Sequence, residues 1–155
     1  MQTIYRKKTG LPLLLAVFSV TMLSFAAAPG GDKFEIYLNN KLILEQFVTQ
    51  RAGARYLTLH QTNYDDRISV SYSHCGQAGR DRVISIRDEN NKVLKQWKFA
   101  DAAGSKTMSW QASGIMDLQK DKSHDRLQLW YTSRELPDGK LLATVVRGNN
   151  NYARL

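Results

Sequence analysis

From Phe34 onward the apolar residues of this chain alternate with polar ones in short runs parted by turn signals, which is the period of half-buried strands and not of helices. The first run, Lys33 to Leu38, sets Phe34, Ile36 and Leu38 on one face, and Asn39 and Asn40 separate it from Lys41 to Val48. Asn tolerates positive φ better than most residues, so the pair predicts a tight hairpin. A third run covers Arg55 to His60. The fourth, Arg67 to His74, alternates most cleanly: Ile68, Val70 and Tyr72 point one way and Ser69, Ser71 and Ser73 the other, giving a core face and a small polar face. Beyond a loop from Gly76 to Gly79, Arg82 to Arg87 and Lys92 to Phe99 flank the polar turn Asp88–Glu89–Asn90–Asn91 as a second hairpin.

After a small-residue loop, Ala100 to Lys106, the segments Thr107 to Trp110 and Ile115 to Leu118 read as weaker strands, and Gln119 to Asp125 as a polar stretch able to extend a short helix. Arg126 to Thr132 and Lys140 to Arg147 bracket Glu135 to Gly139, where Pro137 presets φ and Gly139 supplies a left-handed position, so a third hairpin is expected there. Leu141 to Val146 is apolar on both faces, which places it inside a sheet and not at its edge. About eight short, irregularly spaced strands predict an all-β fold, an antiparallel two-sheet β-sandwich of immunoglobulin-like or jelly-roll-like kind, in preference to a closed barrel. Trp97, alternating with Val93 and Phe99, is expected in its core. With no repeat or linker, residues 29–147 form a single domain, and 148–155, with three successive Asn, form a fraying tail.

The first 28 residues follow a different pattern. Arg6, Lys7 and Lys8 precede an apolar run from Leu11 to Phe25, and Ala26, Ala27 and Ala28 follow it, the layout of a secretory signal peptide with cleavage after Ala26 or Ala28. The run of about 15 residues falls short of the roughly 20 that a membrane-crossing helix needs, so export is expected to end in release to the periplasm or the exterior, with no stable membrane span.

Export changes the charge and cysteine arguments. The chain carries 22 Lys and Arg against 14 Asp and Glu, and loss of Arg6, Lys7 and Lys8 brings the net charge from +8 to +5. The basic residues are scattered among strands and turns, as on an ordinary solvated surface, so nucleic acid is not an expected partner. Cys75 is the only cysteine, so no internal disulfide forms and the core alone holds the domain together.

Three sets of residues are candidates for chemistry. His74 beside Cys75 could form a thiol or metal site, but neighbours in a strand point to opposite faces, and a lone thiol is expected as a small buried hydrophobe. One Cys and three separated His residues, His60, His74 and His124, do not amount to a metal-ligand set, so no metal or other cofactor is expected. Asp65 with Asp66, and Asp88 with Glu89 and Asn90, match no calcium loop and read as turn residues. Trp130 faces away from Leu127, Leu129 and Tyr131, so if the leucines face the core it is an outward aromatic. With Tyr131 it makes the candidate ligand-binding pair, suited to a sugar ring or a partner protein. The chain has no GxSxG, GxxxxGK or HExxH, and no catalytic residue is assigned.

The combination of Ile36–Asn39, Asn63–Arg67, Tyr72–Gly76 and Trp97–Ala100 resembles small, uncharacterised exported proteins of Bacteroidetes type. That resemblance implies a signal-bearing β-sandwich outside the cytoplasm and brings no activity, cofactor or site residue. The functional expectation is a non-catalytic binding or accessory protein of the cell envelope, its ligand a glycan or another envelope protein. The alternatives are a metal or thiol site at His74 and Cys75, or a hydrolase without a recognised motif.

Overall fold

Where the sequence alternates, the chain pairs into strands. The computed structural model describes residues 31–48, 54–101, 106–121 and 124–148; the expected signal peptide and all but Gly148 of the expected tail lie outside the described residues. Nine strands are present among the described residues: β1 Lys33–Leu38, β2 Lys41–Phe47, β3 Tyr56–Leu59, β4 Arg67–Ser73, β5 Arg82–Arg87, β6 Val93–Phe99, β7 Thr107–Gln111, β8 Arg126–Ser133 and β9 Leu136–Arg147. They form a four-stranded sheet in the order β2-β1-β4-β7 and a five-stranded sheet in the order β3-β9-β8-β5-β6. All neighbours are antiparallel except β3 and β9, which run parallel. The all-β two-sheet sandwich is as the alternation predicts.

Between the sheets, Phe34, Ile36, Ile68, Val70, Tyr72, Met108 and Trp110 meet Leu57, Leu59, Ile84, Ile86, Leu127, Leu129, Leu142 and Val145 in one buried core. Each large aliphatic side chain taken fully out of water contributes about 2 kcal/mol, which is why one face of every central strand is apolar. Aromatic pairs join the layers: Tyr72 stacks on Tyr131 with centroids 4.2 Å apart, and Trp97 on Trp110 at 5.2 Å. Trp97 is half-buried and packs against this core.

The first hairpin turns at Asn39 and Asn40, with φ of 47° and 65°, as their tolerance of positive φ requires. Asn39 also ties this turn to the start of β4: its amide donates to Asp66 Oδ1 at 2.6 Å and its side-chain oxygen accepts from the Arg67 N–H at 2.9 Å. The second hairpin joins β5 and β6 where expected. β9 lies between β3 and β8, so the doubly apolar Leu141–Val146 is interior.

Two expectations need correction. The third hairpin turns at Arg134–Glu135, because Ser133 already pairs with Leu136; Pro137, Asp138 and Gly139 form a bulge within β9, with Gly139 at φ 75°. Ile115–Leu118 is not a strand: Ser113–Met116 is a helical turn followed by a 3-10 turn, Leu118–Lys120. Ala112, Ile115, Met116 and Gln119 are buried, and that spacing of three and four puts them on one helical face.

Among the edge strands, β2 exposes Leu42, Ile43 and Phe47. A register shift opposite Ile36 and Tyr37, together with the charged Lys41 and Glu45, interrupts the flat edge that would template another strand.

Candidate functional site

The outer face of the four-stranded sheet is unlike its core face. β1 presents Glu35 and Tyr37, β4 presents Ser69 and Ser71, and β7 presents Thr107 and Ser109. The register aligns them in two rows across the strands, Glu35–Ser71–Thr107 and Tyr37–Ser69–Ser109. Small hydroxyl side chains on β4 and β7 keep the floor low, while Tyr37 and Glu35 rise along one side and Arg67 and Asn40 complete the lining. The result is an open trough of about 380 Å³, within the range of small-ligand sites.

Its polar groups are ordered. Ser69 and Ser109 share a hydrogen bond of 2.8 Å across the floor, and the Tyr37 hydroxyl donates to Glu35 Oε2 at 2.8 Å. Lys33 Nζ lies 2.7 Å from Glu35 Oε1. Lys33 first, and Tyr37 second, hold the Glu35 carboxyl below its usual range, and Glu35 in turn raises the Tyr37 hydroxyl. Glu35 is therefore a charged acceptor, and Tyr37 stays protonated. Arg67 differs: among the described residues its guanidinium enters no ion pair or hydrogen bond, while its backbone N–H is fixed by Asn39.

A second polar group joins the two sheets at one end of the core. His74, just past β4, places Nδ1 3.2 Å from Asp32 Oδ2, and its Nε2 lies 3.1 Å from Ser133 Oγ and 3.2 Å from the Tyr131 hydroxyl. The Tyr72 hydroxyl also donates to Asp32 Oδ2, at 3.2 Å. A carboxylate only accepts, so the ring donates from Nδ1 to Asp32, and Nε2 faces the hydroxyls of Ser133 and Tyr131. Burial raises both tyrosine hydroxyls, Asp32 adding to the effect at Tyr72, so both remain donors.

The order serine, imidazole, carboxylate is that of an activated nucleophile. Gly79 packs against it: a Cβ there would stand 2.9 Å from His74 Nε2 and from Ser133 Cβ and would collide with the Tyr131 hydroxyl. In this arrangement the cluster ties sheet to sheet.

Of the residues singled out from the sequence, His74 and Cys75 meet at the two oxygens of Asp32, while the others are dispersed. Cys75 is exposed, not buried: it occupies the tight turn His74–Gln77, with φ of 48° at Cys75 and 95° at Gly76, and a turn apex projects from the core. Its thiol faces Asp32 Oδ1 at 3.8 Å, while the His74 ring turns toward Tyr131 and Ser133. His60 lies against Gly148, and the His124 backbone bonds to Asp121. Among the described residues no group of three or more His, Cys, Asp or Glu is placed to hold a metal ion. Asp66 accepts from Asn39 and Asn63, and Asp88 from the N–H groups of Asn90 and Lys92, so both act as turn residues.

Trp130 faces outward from β8 and is half-buried, whereas Tyr131 is fully buried, so the two share no surface. The Arg87 guanidinium covers the Trp130 ring at 4.5 Å, anchored by Asn91 Oδ1 at 2.9 Å, and the indole N–H donates to Gln128. A face that a sugar would stack on is already taken by a cation. Sequence reasoning reaches Tyr37 only as one aromatic among several and Arg67 only as a neighbour of Asp66, and it misses Glu35, Thr107 and Ser109; the signal that points toward them is the serine face of β4. No protein-family model matches the chain, and no curated protein matches it.

Proposed function

We propose that this is an exported, non-catalytic β-sandwich protein of the cell envelope that binds a glycan in the trough of its four-stranded sheet. The observation that carries the reading is the two-row array of hydroxyls between the ring of Tyr37 and the guanidinium of Arg67. A sugar gives up many hydrogen bonds to water when it binds, so its site must return them densely, and this floor offers groups that both donate and accept. The lining has no aliphatic side chain, so an apolar ligand would gain little there. Export rests on the Arg6-to-Ala28 pattern of the sequence.

Calorimetric titration against a glycan panel tests the reading. Tyr37→Ala, which removes the wall, and Ser71→Trp, which fills the floor, should each weaken binding at least about tenfold, roughly 1.4 kcal/mol. Trp130→Ala, on the other sheet, should leave it unchanged. Binding indifferent to both trough substitutions refutes the proposal.

A hydrolase is the second reading, favoured by the Ser133–His74–Asp32 distances. Covalent labelling of Ser133 by an organophosphate probe in the intact protein decides for it; an unlabelled Ser133 decides against.

A further inference from the structure

Resting on the glycan reading, we infer that the trough selects sugars that carry a carboxylate, with Arg67 as the residue that reads the charge. Most charged groups near the trough already have partners. Glu35 is satisfied by Lys33 and Tyr37, and Lys33 is shared between Glu35 and Glu45. Lys106 keeps its charge but is tethered to the Gly76 carbonyl and lies outside the lining. Asp66, the acidic neighbour of Arg67 in the chain, gives one oxygen to the Asn39 amide at 2.6 Å and the other to the Asn63 amide at 2.7 Å. A carboxylate with both oxygens engaged by amides is held away from the adjacent guanidinium.

Arg67 is thus the one lining residue with an unspent charge among those described, and it stands beside Asn40 in a lining otherwise made of hydroxyls and the paired Glu35. Its base does not drift. Asn39 brackets Arg67 from both sides, its N–H donating to the Arg67 carbonyl at 2.9 Å and its side-chain oxygen accepting from the Arg67 N–H at 2.9 Å. A guanidinium carries a planar fork of donors whose spacing matches the two oxygens of a carboxylate, whereas a neutral sugar hydroxyl uses only one of them. The ligand class that fits is an oligosaccharide of uronic acids: rings over the serine floor, a ring carboxylate on Arg67. The mild positive charge of the chain after loss of Arg6, Lys7 and Lys8 favours approach of such a polymer.

The test uses the full exported chain and a panel of short uronic-acid oligosaccharides, each beside its methyl ester, which keeps the ring and removes the charge. Titration calorimetry at low salt should show at least one acid bound about tenfold tighter than its ester, a preference that shrinks as salt is raised. Arg67→Gln should bring acid and ester to equal affinity, and Arg67→Lys should restore part of the difference; an unchanged melting temperature certifies that both fold. Equal binding of acid and ester to the unmodified protein overturns the inference, as does a preference that survives Arg67→Gln. In either case loss of both ligands in Tyr37→Ala would leave the glycan reading standing. Binding of neutral glycans alone overturns the charge selection only, and no binding to any glycan overturns both.

Discussion

Gly79→Ala is the sharpest probe of how the two sheets are tied. The added methyl has no space: it would stand 2.9 Å from Ser133 Cβ and from His74 Nε2, and it would overlap the Tyr131 hydroxyl. Overpacking of this kind costs about 2 kcal/mol. For the roughly 120 residues of the domain, an unfolding entropy of about 2.1 cal/mol/K per residue converts that to a fall of about 8 °C in melting temperature. Tyr131→Phe alone removes the hydroxyl that is hydrogen-bonded to His74 Nε2 at 3.2 Å and should cost about 1 kcal/mol. If the clash is chiefly with that hydroxyl, the double substitution relieves it. Its cost should then be about 2 kcal/mol instead of the additive 3, a coupling of about 1 kcal/mol. Urea denaturation of the wild type and three variants measures all four values. Gly79→Ala within about 0.5 kcal/mol of wild type would refute the close approach of Gly79 to this cluster, and strict additivity would refute the clash with the Tyr131 hydroxyl.

Further outcomes follow from particular contacts. Glu135 accepts from the Arg80 N–H and from Arg80 Nε, both at 2.8 Å, and these bonds pull its carboxyl down to about 2 from an ordinary 4.5. A carboxyl depressed in the folded state stabilises above its unfolded value and loses that contribution as pH falls from about 4.5 toward 2. Melting temperature followed over that window should fall less steeply in Glu135→Gln than in the wild type; identical slopes would count against the pairing. Cys75, exposed at its turn, should react completely with an aromatic disulfide reagent under native conditions, and a thiol reached only after denaturation would contradict its placement. Leu129→Ala, which empties a fully buried position on central strand β8, should cost about 3 kcal/mol in the same urea assay, and a cost under 1 would contradict the core assignment.

Local chemistry made much of this fold legible. The alternation of Ile68, Val70 and Tyr72 with three serines marks β4 as one-faced, and Asn39–Asn40 marks the turn between β1 and β2, because each signal lies within a few residues of its effect. Pro137–Gly139 misled for the opposite reason. The turn is set at Arg134–Glu135 by partners about 55 residues away: Arg134 bonds Asp81 and the Arg80 carbonyl, and Glu135 bonds Arg80. The trough was half legible. Its serine floor could be read from β4, but Tyr37, Thr107 and Ser109 join it only once β1, β4 and β7 are known to be neighbours, and nothing local in the sequence gives sheet order. The sequence draws attention to His74 through its neighbour Cys75, while its partners across the core, Asp32, Tyr131 and Ser133, are 42 to 59 residues distant. The lone thiol was assigned to the core by residue type, and its positive-φ turn position decided otherwise.

The most direct test of the glycan reading is an amide NMR titration of the exported domain with an oligosaccharide it binds. The account predicts that shifted amides cluster on Glu35–Tyr37, Arg67–Ser71 and Thr107–Ser109, with those around Trp130 and Arg87 unmoved. Shifts centred on Trp130, or on the turn at Cys75, would contradict it.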